Sequence, residues 1–217
     1  MFNIQNYSQW LQSTKHSIFP EASEDVVEFQ HLRKAAVSII LVEKAPNSFS
    51  IVFGQRSNDV PQHKGQIAFP GGGMHKNETP LETAIRETQE ETGLQIDLRT
   101  DPHWLLLGEY PKKFITVSDF LITPYVFIYK PNGNGKSIRD FSTSAYMPDG
   151  YEILEVFDVP LSHLLDPKNV RVEKREWQGR VFDIHYYSYH DKTIWGVTGM
   201  LLYDFLNSLG PFLLNKN

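Results

Sequence analysis

Cysteine is absent from this chain, which excludes disulfides, thiolate zinc sites and cysteine nucleophiles together. Long apolar runs are missing too: none approaches the ~20 residues that a membrane-spanning helix needs. The opening stretch MFNIQNYSQWLQSTKHSIFP lacks the basic start and apolar core of a secretory signal. Basic charge is scarce, with 21 Lys and Arg against 26 Asp and Glu and a formal net charge of −5. The densest basic stretch, Arg171 to Arg180, is diluted by Glu173 and Glu176, so no stripe suited to nucleic acid exists. Internal repeats and an interdomain linker are also lacking. These absences predict a soluble, cytoplasmic protein without nucleic-acid or membrane partners.

What is present is enough apolar sequence for a proper core, 41% of 217 residues. Tyr7 to Lys15 reads as a short amphipathic helix with Trp10 and Leu11 on its buried side. Ala36–Glu43 and Ser50–Arg56 read as strands around an APNS turn. HWLLLGEY and DFLITPYVFIY are further strands, and Pro124 predicts a bulge or an edge in the second. Pro131 to Gly150 is rich in Gly, Asn, Ser and Pro and reads as a long loop. YEILEVFDVP returns to strand, PLSHLLD to a helical turn, and VFDIHYYSYH to an aromatic strand. TIWGVTGMLLYDFLNSL closes the pattern as an apolar helix, suited to completing the core or to pairing with a twin subunit. Strands outnumber helices, which gives an α/β or α+β class with a mixed sheet. The boundaries are an extension over residues 1–33, one domain over 34–210 and a tail over 211–217.

One stretch breaks a local rule. FPGGGMHKNETPLETAIRETQEETGLQ starts a helix well: Thr79 caps, Pro80 takes the first position, and Glu82 completes a capping box. Gly93 supplies the stop, and Leu81, Ala84, Ile85 and Thr88 form the stripe expected to pack on a sheet. At ~100° per residue, Glu87, Glu90 and Glu91 then crowd into an arc of roughly 100° beside that stripe. They sit in the last turns, where the helix dipole is negative, and Glu87 and Glu91 are a like-charge pair one turn apart. Arg86 is expected to offset one of them, Glu90. A solvated acidic face is the plain alternative. A hard divalent cation with oxygen ligands would instead turn repulsion into coordination. The glycine turn Gly71–Gly73 would bring backbone groups close to the same ion or to a phosphate.

Gly72, Glu78, Arg86, Glu87, Glu90, Glu91, Gly93 and Leu94 resemble the Nudix box in residue and spacing. Thr88 departs from it, standing where that family usually has an aliphatic residue. The resemblance implies a Nudix α/β/α sandwich with a central mixed sheet. It also implies hydrolysis of a nucleoside diphosphate linked to another moiety, with Mg²⁺ or Mn²⁺ as cofactor. Glu87, Glu90 and Glu91 would be the metal ligands, with the Gly72 carbonyl as an addition. Arg86 would orient a carboxylate, Glu78 would hold loop and helix together, and Glu87 or Glu152 would be the general base. Upstream, Arg56, Ser57, Gly65, Phe69, Pro70, Gly71 and Gly72 resemble the signature of coenzyme A pyrophosphatases, as do EVFDVPL and IWGVTGMLLYDFL.

That subgroup would split CoA or acyl-CoA into 3′,5′-ADP and (acyl-)4′-phosphopantetheine. Arg56, Ser57, Lys64 and Gly71 are then the substrate-binding candidates; Phe114, Tyr125, Tyr146 and Tyr151 could stack on adenine, with core packing the plain and commoner alternative, and stand outside the candidate set. Pro61 stands where the signature has arginine, which favours the neighbouring reading: hydrolysis of ADP-ribose, NADH or a dinucleoside polyphosphate. A non-catalytic binding module of the same fold is the reading from another class, and the intact carboxylate set speaks against it.

Overall fold

Ile39 and Leu41 point to one side of a strand while Ile40 and Val42 point to the other, and all four are fully shielded from solvent. An apolar run with both faces buried belongs in the middle of a sheet covered on both sides. The computed structural model builds that arrangement. It describes residues 4–14, 32–59, 63–111, 113–115, 119–130, 152–177 and 179–209. The expected loop from Pro131 to Gly150 lies outside the described residues, as do Pro61, Tyr146 and Tyr151.

The strands are β1 (Arg33–Ala45), β2 (Ser48–Arg56), β3 (Ile67–Ala68), β4 (Gly71–Gly73), β5 (Trp104–Glu109), β6 (Phe114–Ile115), β7 (Phe120–Tyr129) and β8 (Ile153–Pro160), followed by β9 (Val170–Trp177), β10 (Arg180–Tyr189) and β11 (Lys192–Ile194). The helices are α1 (Ile4–Thr14), α2 (Pro80–Thr92), α3 (Leu161–Leu164) and α4 (Gly196–Leu209). Strands β1 to β8 form one mixed sheet. One face packs on α2 through Ala36, Ile40, Val42, Val52 and Phe127, which meet Ala84 and Leu94. The other packs on α1, α3 and α4 through Ile39, Leu41, Ile51, Phe53, Val126 and Ile128, which meet Tyr7, Leu161, Leu202 and Phe205. This is the expected α/β/α sandwich around a mixed sheet.

The sheet is split where the site lies. β1 runs parallel to β7 from Arg33 to Val42. On its other edge it pairs antiparallel with β2 only from Leu41 to Ala45, and nearer its start it pairs with β4 instead. β3 meanwhile pairs with Gly54 and Gln55 of β2. The segment from Ile67 to Gly73 therefore fills the wedge where β1 and β2 diverge, and α2 lies over it.

Two expectations are corrected, for Pro124 and for the start of the terminal helix, and two elements gain detail. Pro124 marks neither an edge nor a bulge of its own strand, because β7 lies between β1 and β5. It falls in the gap between the β5 and β6 pairings, where a missing N–H costs least, and the bulge is in β5 between Leu106 and Gly108. The basic stretch after Val170 is strand β9, which joins β10 and β11 in a separate three-stranded sheet. The terminal helix starts at Gly196, because Thr193 and Ile194 belong to β11. In α1 half-buried Trp10 packs on the core as expected, while the Leu11 side chain lies outside the described residues; Tyr7, fully buried, stacks on Trp10 at 5.4 Å and meets the edge of Phe205 at 6.1 Å.

Candidate functional site

Helix α2 is fixed at both ends and across its inner face. The Thr79 side chain accepts the Glu82 N–H while Glu82 accepts the Thr79 N–H, and Gly93 ends the helix at φ 72°. Its buried face is Thr83, Ala84, Thr88 and Thr92, so the expected stripe is rotated; Leu81 and Ile85 are only half-buried. The threonine hydroxyls are all used. Thr83 donates to Glu78 at 2.8 Å and Thr92 to the Thr88 carbonyl at 2.6 Å. Thr88, the departure from the box, lies 2.7 Å from both the Ala84 carbonyl and the Ser38 Oγ of β1. Ser38 also donates its backbone N–H to the Pro70 carbonyl at 2.8 Å. One residue of β1 thus fixes both the helix and the start of the glycine turn.

The acidic residues sit where α2 faces that turn. Arg86 does more than offset Glu90. Its Nε and Nη2 donate to the two oxygens of Glu78 at 2.6 and 3.0 Å, and Nη2 also reaches the Gly73 carbonyl at 3.2 Å. Its Nη1 donates to Glu87 at 2.7 Å and Glu90 at 3.0 Å. Glu78 accepts from the His75 N–H as well. These partners, Arg86 foremost, hold the Glu78 carboxyl at about 2 and push the Arg86 guanidinium above its ordinary value.

Glu91 is nearly buried and has a different set of contacts. It accepts the Gly71 N–H at 2.9 Å and faces Arg56 Nη1 at 3.8 Å. Burial pushes its carboxyl up to about 8; Glu87 and Glu152 add to the rise, while the Gly71 N–H and Arg56 oppose it. Burial also raises Glu87, with Glu90 and Glu152 adding to it against Arg86. The Glu87 carboxylate rests on the face of Gly72, where a Cβ would stand 2.5 Å from it. A Cβ on Gly71 would meet the Ala36 carbonyl at 2.4 Å. Glycine at these two positions is a condition of the close approach between turn, strand and helix.

Glu152 arrives from the far side of the sheet. It immediately precedes β8, whose Ile153 pairs with Arg56 of β2. Its carbonyl accepts the Ser57 N–H at 2.9 Å. Ser57 itself is buried and its Oγ accepts from the Asp59 N–H at 3.1 Å. Glu87, Glu91, Glu152, Arg56, Gly71 and Gly72 are therefore brought together, with Glu90 more exposed at the rim. Lys64 is exposed and, among the described residues, no contact ties it to this cluster. Tyr125 packs in the core and donates to Glu109 at 3.1 Å, away from the turn. The Phe114 side chain lies outside the described residues.

The donor set fits a hard divalent cation. Burial and neighbouring carboxylates raise Glu87 and Glu91 in spite of Arg86 and Arg56, and the glycine turn leaves no Cβ between them and the backbone. Among the described residues no three acidic or imidazole side chains already converge as a closed cage; Arg86 holds Glu87 and Glu90 instead. Ser38 escaped sequence reading, because a small polar residue inside an apolar strand has no periodic signal.

The NUDIX domain profile matches residues 32–178. "Nudix hydrolase 15, mitochondrial" of Arabidopsis thaliana is 30% identical over 175 residues, 78% of this chain and 56% of that protein. The peroxisomal coenzyme A diphosphatase NUDT7 of Mus musculus is 28% identical over 174 residues, 74% of this chain and 66% of that one. The chain spans little more than half the length of the Arabidopsis relatives it matches, 56% and 53%. A MutT/nudix family protein from Enterococcus faecalis superposes with a TM-score of 0.42 at 16% identity, over 88% of this chain and 61% of that one. With the profile covering most of the chain and the box residues gathered around one glycine turn, this protein belongs to the NUDIX domain family.

Proposed function

We propose that this chain is a divalent-cation-dependent pyrophosphohydrolase that cleaves the diphosphate of CoA or acyl-CoA, releasing 3′,5′-ADP and (acyl-)4′-phosphopantetheine. The observation that carries the hydrolase reading is the pair of box carboxylates on the glycine turn, Glu87 against Gly72 and Glu91 on the Gly71 N–H, with Arg56 beside Glu91. Glu87, Glu90 and Glu91 would hold Mg²⁺ or Mn²⁺, with the Gly72 carbonyl as an added ligand. Bound there, the cation supplies charge neutralisation at the phosphate oxygens and a lowered pKa for water.

The protein's own groups do the rest. The attacking water gives up a proton as its oxygen bonds to one phosphorus, and the other phosphate departs with the bridging oxygen. Glu152 suits the role of proton acceptor better than Glu87, because Arg86 and the face of Gly72 already hold the Glu87 carboxylate. Arg86 orients Glu87 and Glu90. Arg56 and the Gly71 backbone, joined by Lys64, would bind substrate phosphates. Ser57 contributes by holding the Glu152 backbone rather than by its hydroxyl.

The run from Arg56 and Ser57 through Gly65 to Phe69–Gly72 supports the CoA assignment, as does similarity to the mouse CoA diphosphatase. The competing reading, another nucleoside diphosphate derivative, is favoured by Pro61. Product analysis with Mg²⁺ and CoA, beside ADP-ribose, NADH and a diadenosine polyphosphate, separates the two. Release of 3′,5′-ADP that disappears in Glu91→Gln is expected. Preferential cleavage of another substrate would keep the chemistry and sink the CoA assignment.

A further inference from the structure

The cations around the carboxylates are divided unequally. Arg86 serves Glu78, Glu87 and Glu90 and is fully engaged. Among the described residues the one cation facing Glu91 is Arg56, and that pair is unusual. The Arg56 Nη1 stands 3.8 Å from Glu91 Oε1, beyond hydrogen-bond range, while the other Glu91 oxygen takes the Gly71 N–H. Among the described residues the Arg56 Nε is buried and has no hydrogen-bond partner. A guanidinium normally satisfies its fork, especially beside a carboxylate. Here the charge is matched and the hydrogen bonds are not made. The side chains are 27% and 9% exposed, so the attraction between them is little screened by solvent.

We propose that Arg56 is the resident counter-charge of Glu91 in the cation-free protein, and that this couples cation binding to phosphate binding at the site. While no divalent cation is present, Arg56 balances Glu91 from a distance. A cation taken up by Glu91 replaces that balance, and the guanidinium, with its Nε unpaired, becomes available to a phosphate oxygen. Arg56 therefore opposes the cation when it binds alone and favours the cation and phosphate together. The inference rests on the reading of Glu87, Glu90 and Glu91 as cation ligands.

The test uses the full chain and two binding measurements without turnover: Mn²⁺ by titration calorimetry in the absence of nucleotide, and ADP with Mn²⁺ saturating. Arg56→Gln removes the charge, and it is expected to bind Mn²⁺ at least about threefold tighter than the wild type while ADP binds at least about fivefold more weakly. Arg56→Lys keeps a charge and loses the fork. Its Mn²⁺ affinity stays within about twofold of wild type while its ADP affinity falls, a separation that a merely structural role would not produce. Mn²⁺ affinity that is unchanged or weaker in Arg56→Gln, with an unchanged thermal midpoint, overturns the coupling and leaves the cation reading intact. Should Arg56→Gln not fold, Arg56→Lys decides alone: Mn²⁺ and ADP affinities that fall in parallel overturn the proposal. Absence of Mn²⁺ binding by the wild type itself overturns both the proposal and the cation reading beneath it.

Discussion

Arg86 shows how much depends on one side chain whose geometry lysine cannot copy. Its fork engages both oxygens of Glu78, and its remaining nitrogen reaches Glu87 and Glu90. Arg86→Lys keeps the charge and loses the two-point contact. The expected result is a kcat at least about a hundredfold lower, because Glu87 and Glu90 lose their orientation. Stability should fall as well, because Glu78 loses its paired donors. Steady-state kinetics and urea unfolding check the two parts separately. Thr88 gives the opposite case. Its hydroxyl contacts Ser38 and Ala84, yet Ser38 keeps its own bond to the Ala84 carbonyl at 3.1 Å when Thr88 is changed. Thr88→Val preserves volume and removes one buried hydrogen bond, so the expected loss in urea unfolding is about 1 kcal/mol or less, with activity retained. A loss of several kcal/mol would mean that the Ser38–Thr88 contact itself holds α2 on the sheet.

At the scale of elements, the capped helix is the part whose stability local chemistry controls. Thr79→Ala removes the hydroxyl that accepts the Glu82 N–H, and its expected cost is about 1 kcal/mol with little change in kcat, measured by urea unfolding beside a standard assay. That helix was legible in the sequence because its start and stop signals are local: Thr79, Pro80, Glu82 and Gly93 each act within one turn. The central strands were legible through the apolar runs at Ala36–Glu43 and Ser50–Arg56. β9 was not. In RVEKRE the charges occupy both faces of the strand, so no alternation of apolar and polar residues marks it as a strand. Five of the six side chains are charged, of either sign, a pattern suited to the outer strand of a sheet. The reach of Arg86 was equally hidden. Helical spacing points it at Glu90, but the loop from Met74 to Thr79 folds back and delivers Glu78 to its other side. Thr83 and Thr92 were left out of the buried stripe because their hydroxyls find partners only once loop and helix end are in place.

The whole molecule carries the site's charge imbalance as a pH dependence of stability. Glu91 has its folded pKa raised to about 8, from an ordinary 4.5, chiefly by burial. Between those values the native state binds the proton more tightly than the unfolded chain does, so stability falls as pH rises. The contribution is fully present below about 4.5 and lost as pH climbs through about 8. Glu87 is raised as well and acts in the same sense. Glu78 works oppositely: held at about 2, it contributes stability that is present above 4.5 and lost as pH falls through about 2. The two windows do not overlap, so the cation-free protein should be most stable near the boundary between them, at mildly acidic pH. Each pKa unit corresponds to about 1.4 kcal/mol, so the decline toward alkaline pH amounts to a few kcal/mol. Thermal unfolding in chelator across pH 5 to pH 9 should show the midpoint falling. Glu91→Gln, neutral throughout, should flatten most of that fall, and saturating Mn²⁺ should flatten it in the wild type, because the cation binds the ionised carboxylate. A Glu91→Gln profile as steep as the wild type's would place the buried charge elsewhere. A wild-type profile that Mn²⁺ leaves unchanged would separate the strain at Glu91 from cation binding.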